Sequence, residues 1–268
     1  MQNENTGKIF ITEIKHSKKR VLLELSNEES IEINEDIVLD YYLFCGKEVS
    51  QDELKNIKKS ANMAKALQKA YSLLSQRMYT QKEIENKLFN LHFDKVIIDN
   101  VIKKLKELKY IDDNAYVEEY LNMASYKNYG ANRIKKTLIE KGIDRKLVEQ
   151  INFNDDEQIQ IIENQMKYLL KKYEKSNYKK AYQQIYNRLI NLGFDNDLIK
   201  SCLSNHLKYS KNQEQNLIQK DIKKGYDKYY KKNEGYKLKQ SIISYLLQKG
   251  YNYDVIMEEL EEFDKNED

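Results

Sequence analysis

A pattern of apolar residues that occurs four times between residues 84 and 256 constrains the fold more than any other feature of the sequence. Each copy has an isoleucine and, four residues later, a leucine, and the copies follow at intervals of 50, 51 and 57 residues. Two apolar residues four positions apart lie on one face of an α-helix and form its buried stripe. The pairs are Ile84 and Leu88, Ile134 and Leu138, Ile185 and Leu189, and Ile242 and Leu246.

The residues that follow each pair predict where that helix ends and where the next one begins. Three copies have a glycine after the leucine, and glycine adopts the left-handed conformation that closes helices at little cost. An apolar residue comes next, followed by an aspartate or asparagine that suits the start of another helix. The three sets are Gly142, Gly193 and Gly250; Phe93, Ile143, Phe194 and Tyr251; and Asp94, Asp144, Asp195 and Asn252.

Apolar stripes upstream of each copy supply one more helix, so each repeat is predicted to be a three-helix module of about 50 residues. Modules this small need contacts with their neighbours. The sequence therefore predicts a mostly α fold, with four tandem three-helix modules in an elongated, curved array. The predicted boundaries are 63–111 for module 1, 112–153 for module 2, 154–207 for module 3 and 208–263 for module 4, followed by an acidic tail at 264–268.

The region before the repeats, residues 1–47, has a different pattern, because short β-type runs alternate there with polar turns. These runs predict a small N-terminal β-meander of three strands, closed by a short helix at 37–44. A connecting helix is predicted at 48–62. The predicted strands are 9–15, 21–25 and 30–33.

The sequence lacks the features of an enzyme, a metal site or a membrane protein. No run of about 18 apolar residues is present, and the N-terminus lacks the basic and apolar regions of a signal peptide, so we expect a cytoplasmic protein. Cys45 and Cys202 have no cysteine or histidine at ligand spacing. The acidic pairs Asp112-Asp113 and Asp155-Asp156 suit helix N-termini better than acid–base catalysis. We therefore predict no catalytic residue, no metal and no cofactor.

Two stretches of the repeat region resemble the RecX family. The first is similar to the passage between that family's first and second modules, and the second to its second module, although Gly130-Ala131 stands where Gly-Pro is more usual. The resemblance spans nearly the whole chain, and modules 3 and 4 match by repeat pattern more than by motif. The residues that carry it include Ala70, Tyr71, Leu74, Arg77, Glu83, Ile84, Leu88, Phe93, Asp94, Tyr110, Ile111, Asp112, Asp113, Tyr116 and Tyr120 in the first stretch, and Gly130, Arg133, Ile134, Leu138, Lys141, Gly142 and Ile143 in the second.

The resemblance implies a non-enzymatic, monomeric regulatory protein that lies in the helical groove of RecA filaments on single-stranded DNA. There it restrains strand exchange and filament growth, which implies a role in DNA recombination, DNA repair and the SOS response. Affinity for the single-stranded DNA itself is expected to be weak and indifferent to sequence. Physical reasoning adds that an elongated array can bridge successive protomers of a helical polymer through several modest contacts.

Charge is concentrated in the second half of the chain. Residues 165–250 contain 19 Lys and Arg against 7 Asp and Glu, a net charge of +12, whereas residues 251–268 have a net charge of −7. Such a basic block attracts polyanions, although a lysine-rich solvated surface produced by a biased composition remains an equal alternative. The candidate partner or nucleic-acid contacts are Arg77; Arg133, Lys135 and Lys136 on the outward side of their helix; Lys171, Lys172, Lys175, Lys179 and Lys180; and Lys223, Lys224, Lys228, Lys231 and Lys232.

The last group of lysines is interleaved with tyrosines at 226, 229 and 230, an arrangement that suits both a nucleic-acid surface and a helical core. Basic residues alternating with aromatic residues can follow a backbone and stack on bases. Tyrosine is nevertheless abundant throughout the chain, with 22 residues, so half-buried core positions remain the alternative.

Two other classes of protein are compatible with this pattern. A three-helix module resembles a helix-turn-helix regulator, but the predicted last helices present few Arg, Asn or Gln side chains for base edges. A defined operator footprint would favour that class. A protein-interaction scaffold would show no dependence on DNA or on a filament.

Overall fold

The structure, a computed structural model, describes residues 8–17 and 20–267 and consists of a small sheet followed by a long series of helices. The N-terminal elements are β1 (Ile9–Ser17), β2 (Arg20–Leu25), β3 (Ser30–Ile33), α1 (Glu35–Asp40) and β4 (Glu48–Val49). The helices that follow are α2 (Gln51–Leu74), α3 (Gln81–Asn90), α4 (Lys95–Glu107), α5 (Asp113–Tyr126), α6 (Ala131–Glu140), α7 (Arg145–Glu149), α8 (Asp155–Tyr173), α9 (Tyr178–Leu192), α10 (Asn196–His206), α11 (Lys211–Tyr229), α12 (Gly235–Lys249) and α13 (Tyr253–Glu267). The side chains of the predicted acidic tail, 264–268, lie outside the described residues.

The N-terminal sheet is antiparallel, with the strand order β3-β2-β1-β4. The predicted meander is present, and β4 adds a fourth strand that the sequence did not predict. The short helix α1 ends at Asp40, earlier than the predicted end at residue 44. The reason is local, because Tyr42 adopts a left-handed conformation (φ 48°) that cannot continue a helix.

Helix α2 contributes to two hydrophobic cores. Its first half buries Leu54, Ile57 and Ala61 with the residues of the sheet, and its second half buries Ala66 and Ala70 with those of α3 and α4. One helix of 24 residues therefore crosses the predicted boundary between residues 62 and 63. The chain has no proline that would interrupt this helix.

The predicted four three-helix modules are confirmed: α2–α4 form module 1, α5–α7 module 2, α8–α10 module 3 and α11–α13 module 4. In every module the repeated isoleucine and leucine are buried, with no more than 4% of either residue exposed. The left-handed residue after the middle helix is Gly142 (φ 85°), Gly193 (φ 89°) or Gly250 (φ 97°) in modules 2 to 4, and His92 (φ 62°) in module 1.

The chain divides into two compact units. One consists of Met1–Tyr120 and Leu138–Val148, and the other of Leu121–Thr137 and Glu149–Asp268. The first unit contains the sheet, module 1 and part of module 2. The second contains the rest of module 2 with modules 3 and 4.

Each module is connected to the next by the same contact, which we call a joint. At a joint, the residue before a module's middle helix donates a hydrogen bond to the carbonyl that precedes the left-handed glycine of the next module. The carbonyl end of one middle helix thus lies beside the N–H end of another, an arrangement that helix dipoles favour. The three bonds are Thr80 Oγ1 to Lys141 O (2.6 Å, joint 1), Gly130 N to Leu192 O (2.7 Å, joint 2) and Asn177 Nδ2 to Lys249 O (2.8 Å, joint 3).

A second hydrogen bond also occurs at all three joints. The first N–H group of the middle helix donates to an acidic or amide side chain from the first turn of the next module's first helix. Because this N–H group has no partner within its own helix, the next module supplies the missing acceptor. The bonds are Gln81 N to Asp113 Oδ1 (3.0 Å), Ala131 N to Gln158 Oε1 (3.0 Å) and Tyr178 N to Glu214 Oε1.

The backbones approach closely at joint 2. A Cβ added to Gly193 would lie 2.2 Å from the Cβ of Arg133, and one added to Gly130 would lie 2.3 Å from the carbonyl carbon of Gly193. In the described residues the sheet, and not another three-helix module, precedes module 1, and there the left-handed position is occupied by His92, which is exposed. Close contact at the joints therefore explains why glycine occupies this position in modules 2 and 3.

Two substitutions at Glu214 test joint 3. Burial raises the pKa of the Glu214 carboxyl, and the hydrogen bond from the Tyr178 amide does not offset it. Ionisation of the Glu214 carboxyl therefore lowers the free energy of unfolding as the pH rises from 4.5, its ordinary pKa, through its higher pKa in the folded chain. Glu214→Gln keeps the acceptor without the charge, so we expect stability at about pH 7 at least equal to that of the original chain. Glu214→Ala should cost about 1–2 kcal/mol, measured by urea unfolding. Equal losses in both variants would contradict the role of Glu214 as an acceptor.

Candidate functional site

Basic and aromatic side chains meet at the connection between the first and middle helices of every module. A cation over an aromatic ring gains electrostatic attraction and keeps its charge. These connections contain many of the sequence-predicted contact residues. One pair from each module, measured to the ring centroid, is Arg77 over Tyr79 (3.6 Å), Arg133 over Tyr129 (3.9 Å), Lys172 near Tyr173 (5.4 Å) and Lys231 near Tyr230 (5.8 Å).

Arg77 in module 1 is engaged within the protein. Its guanidinium donates hydrogen bonds to Met78 O (2.8 Å) and to both carboxylate oxygens of Glu83 (3.2 and 3.3 Å). Glu83 also accepts a hydrogen bond from Lys141 Nζ (3.0 Å), which belongs to module 2. Arg77 therefore stabilises joint 1, and these donors are not available to a partner.

Glu83 and Lys141 are both held in their charged forms. Burial raises the pKa of Glu83, but hydrogen bonds from Arg77, Lys141 and the Thr80 amide outweigh it and bring the pKa below 4.5. Burial lowers the pKa of Lys141, but hydrogen bonds with Tyr116 and Glu83 outweigh it and bring the pKa above 10.5. Joint 1 therefore contains a half-buried ion pair at neutral pH.

The substitution Glu83→Gln is expected to lower the free energy of unfolding at about pH 7 by about 1–3 kcal/mol, because the charged hydrogen bonds of Arg77 and Lys141 lose their partner. Because the pKa of Glu83 is lowered in the folded chain, its contribution to the free energy of unfolding is fully present above pH 4.5, the ordinary pKa of the group. This contribution is lost as the pH falls through the lower pKa of the folded chain. Urea unfolding from about pH 7 to about pH 3 measures both effects. The two chains should converge at the acidic end, and a difference that does not depend on pH would contradict this assignment.

In module 2, Arg133 is exposed and also makes contacts at joint 2. Its guanidinium covers the ring of Tyr129 and donates to Asn191 O (3.0 Å). The carbonyl that it contacts lies near the end of α9, so this bond could not be predicted from α6 alone. Lys135 is half-buried with its ammonium 5.4 Å from the ring of Phe153, and Lys136 is exposed.

The five predicted lysines of module 3 fall into two groups. Lys171, Lys172 and Lys175 are exposed at the end of α8 and in the connection to α9, and within the described part of the chain none pairs with a carboxylate. Lys179 and Lys180 lie in the first turn of α9 at joint 3. The ammonium of Lys179 donates to Asn252 Oδ1 (3.2 Å), and the Cβ of Lys180 faces Gly250.

The five predicted lysines of module 4 are all exposed. Lys223 and Lys224 lie on α11, where Lys224 Nζ is 3.4 Å from the buried carboxylate of Asp221. Lys228 lies near the end of the same helix, 5.0 Å from the ring of Tyr229. Lys231 and Lys232 are in the connection to α12.

The tyrosines between these lysines divide between the two roles that the sequence left open. Tyr226 and Tyr229 are half-buried and pack on the core of module 4. Tyr230 is 53% exposed and is not among the residues packed on that core. Only the last of the three is therefore available for stacking.

Comparison with known proteins identifies the family. Models described as the first, second and third three-helix domains of RecX match residues 66–105, 112–151 and 213–260. A Regulatory protein RecX of Streptococcus agalactiae serotype V is 33% identical over 261 residues, covering 94% of this chain and 99% of the relative. The chain belongs to the RecX family. A Streptococcus pneumoniae serotype 19F relative of the same name is 34% identical over 257 residues, with 94% and 99% covered.

The RecX fold is also found among solved structures. One described as the crystal structure of regulatory protein RecX superposes with a TM-score of 0.57 and 21% identity, covering 73% of this chain and 99% of that one. In the present RecX-family chain, the family's third domain corresponds to module 4. Residues 152–212, which contain module 3, lie between the matches to the second and third domains.

Sequence analysis did not identify the joint residues of this RecX-family chain, and Asp113 is the clearest case. The sequence predicts a first-turn acid at this position. In the structure its carboxylate also accepts a hydrogen bond from Gln81 N at the start of α3. Asp112 fills the predicted capping role by accepting from Asn114 N (2.9 Å). The one sequence signal for the joints was the replacement of glycine by His92 in the first copy of the repeat.

No helix in residues 8–17 and 20–267 has the length and apolar character needed to cross a bilayer. In the same residues, no three His, Cys, Asp or Glu side chains are grouped so that they could hold a metal ion. Cys45 is exposed and Cys202 is buried, both as free thiols.

Proposed function

We propose that this chain regulates RecA by lying in the helical groove of RecA filaments on single-stranded DNA. Its main effect there is to inhibit RecA recombinase and ATPase activity during recombination and DNA repair. The observation that carries the proposal is the match to regulatory proteins named RecX over 94% of the chain and 99% of the relative. The partners are the RecA filament and, more weakly, its single-stranded DNA, and the chain acts as a monomer.

The joints support this mode of binding. Each joint connects one module to the next through backbone and side-chain hydrogen bonds, so the chain offers several candidate contact surfaces in series. Several modest contacts made at a set spacing add up to strong binding on a repeating polymer. A helical filament offers such a repeat.

The exposed lysines of modules 3 and 4 support contact with phosphates or with acidic protein surfaces. Phosphate contacts position a protein on nucleic acid without reading its sequence. Because Arg77, Arg133 and Lys179 have partners within the protein, we assign the contacts first to other predicted lysines. These are Lys171, Lys172, Lys175, Lys223, Lys228, Lys231 and Lys232.

The proposal is tested by adding the chain to RecA filaments preformed on single-stranded DNA and following ATP hydrolysis. We expect a progressive fall in rate at well below one copy per RecA protomer, because each chain acts on several protomers. A helix-turn-helix regulator would leave the rate unchanged and protect a defined operator instead. An unchanged rate at equimolar protein would overturn the proposed function and leave the fold intact.

A further inference from the structure

We propose that the connection between α11 and α12 in module 4 is a binding surface for single-stranded nucleic acid, on which Tyr230 and Tyr236 stack with bases. This inference rests on the proposed function, because it names the part of the chain that contacts the single strand. The surface, which we call the module 4 surface, consists of Tyr230, Lys231, Lys232, Tyr236 and Lys237.

Within the described residues, no other module covers the module 4 surface. At the corresponding place in modules 1 to 3, the next module covers the start of the middle helix, and Thr80, Gly130 and Asn177 are buried there. In module 4 the corresponding residues, Glu234 and Gly235, are exposed. The last module therefore presents to solvent a region that the other modules use for joints.

Two aromatic rings of this surface are available to a ligand. Tyr236 is 76% exposed and Tyr230 is 53% exposed. The hydroxyl of Tyr236 accepts a hydrogen bond from Gln240 Nε2 (2.8 Å), which holds the exposed ring in place before a ligand arrives. An ordered, exposed aromatic ring is a suitable platform for a base, since every base has a face on which to stack.

The charge around these rings suits a phosphate backbone. Residues 223–240 contain seven lysines and two acidic residues, a net charge of +5. Lys231, Lys232 and Lys237 are exposed, and within the described residues none of the three pairs with a carboxylate. Aromatic platforms beside unpaired lysines distinguish a single-strand surface from a purely electrostatic one.

A polar groove of about 430 Å³ is lined by Tyr229, Asn233, Lys237, Gln240, Ser241 and Ser244, and its Gln240 is the residue that bonds to the hydroxyl of Tyr236. Its amide and hydroxyl groups can donate hydrogen bonds to phosphate or base oxygens. Asn233 and Ser241 already bond to each other across the groove (3.0 Å), which fixes its shape. The groove offers polar contacts to the nucleotide whose base stacks on Tyr236.

The other strongly basic connection lacks this combination. In module 3, Tyr173 is half-buried, and the ring of Tyr178 makes an edge contact with Tyr209 (5.6 Å between centroids) at joint 3. In modules 1 and 2 the rings of Tyr79 and Tyr129 are covered by arginines. Among the four connections, the one in module 4 is therefore best suited to base stacking.

The test measures the fluorescence anisotropy of a labelled oligothymidine of about 20 nucleotides with the full chain, across a salt series. The double substitution Tyr230→Ala and Tyr236→Ala is expected to weaken binding by about tenfold or more without changing the salt dependence. The triple substitution Lys231→Gln, Lys232→Gln and Lys237→Gln is expected to reduce the slope of log affinity against log salt by about 2. Tyr126→Ala, which removes a ring that is 94% exposed in module 2, is the matched control and should bind normally.

Three results would overturn the inference. One is unchanged oligonucleotide affinity in the tyrosine double variant, with helical content by circular dichroism confirming that it is folded. Another is an equal loss in the Tyr126→Ala control. The third is loss of the effect on RecA ATP hydrolysis with unchanged oligonucleotide affinity, because the surface would then contact protein. If the unsubstituted chain binds oligothymidine through these tyrosines but leaves RecA unaffected, the proposed function fails and this surface is supported.

Discussion

The substitution Gly193→Ala is expected to lower the free energy of unfolding by about 3–5 kcal/mol, since left-handed strain and overpacking add to each other. The backbone there has φ 89°, and a new Cβ would lie 2.2 Å from the Cβ and 2.5 Å from the backbone nitrogen of Arg133. A backbone atom cannot move aside as the end of a flexible side chain can. The loss is measured by urea unfolding followed by circular dichroism, and locally by faster hydrogen exchange at the Asn132 amide, which donates to Gly193 O.

Gly46→Ala is the matched control for this prediction. Gly46 has nearly the same backbone conformation, φ 88°, but nothing lies within 4 Å of a Cβ added there. This variant should lose only the part of the free energy of unfolding that comes from left-handed backbone strain, about 1–2 kcal/mol. Equal losses at Gly46 and Gly193 would mean that the close contact of joint 2 contributes nothing to stability.

The second large effect is expected from reversing the charges of Lys171, Lys172 and Lys175. If these exposed lysines contact phosphates or acidic protein, Lys→Glu at all three should raise the concentration that half-inhibits RecA ATP hydrolysis by about tenfold or more at low salt. The difference should shrink as salt is added, because screening weakens these contacts in the original chain. Lys179 and Lys180 are left unchanged, since they belong to joint 3 and their substitution would also affect folding.

The control for charge reversal uses three lysines of α4 in module 1. Lys103, Lys104 and Lys106 are exposed, and their reversal changes the net charge by the same amount. This variant should inhibit nearly as well as the original chain. A similar loss in both variants would attribute the effect to total charge and would contradict the assignment to module 3.

The four modules could be predicted from the sequence because the burial of each helix depends on residues three and four positions apart. The repeated pairs, such as Ile185 and Leu189, are buried as that spacing requires. Local rules also predicted Gly193 in the left-handed conformation. Where the prediction depended on local periodicity alone, the structure agrees with it.

The joints could not be predicted in the same way. Thr80 and Lys141 are 61 positions apart, and no periodic pattern relates them. The contact residues show a similar limit, because the sequence pattern did not reveal that Arg77 bonds to Glu83 of its own module or that Arg133 bonds to Asn191 O of the next. The lysines at the ends of α8 and α11 are exposed in the structure, and the sequence pattern alone could not distinguish them from Arg77 and Arg133.

The most direct test of the proposed function is electron microscopy of RecA filaments on single-stranded DNA with the chain bound. We expect additional density along the helical groove, in contact with successive RecA protomers, with module 4 nearest the DNA. Density confined to filament ends, or filaments without additional density at saturating protein, would contradict binding within the groove.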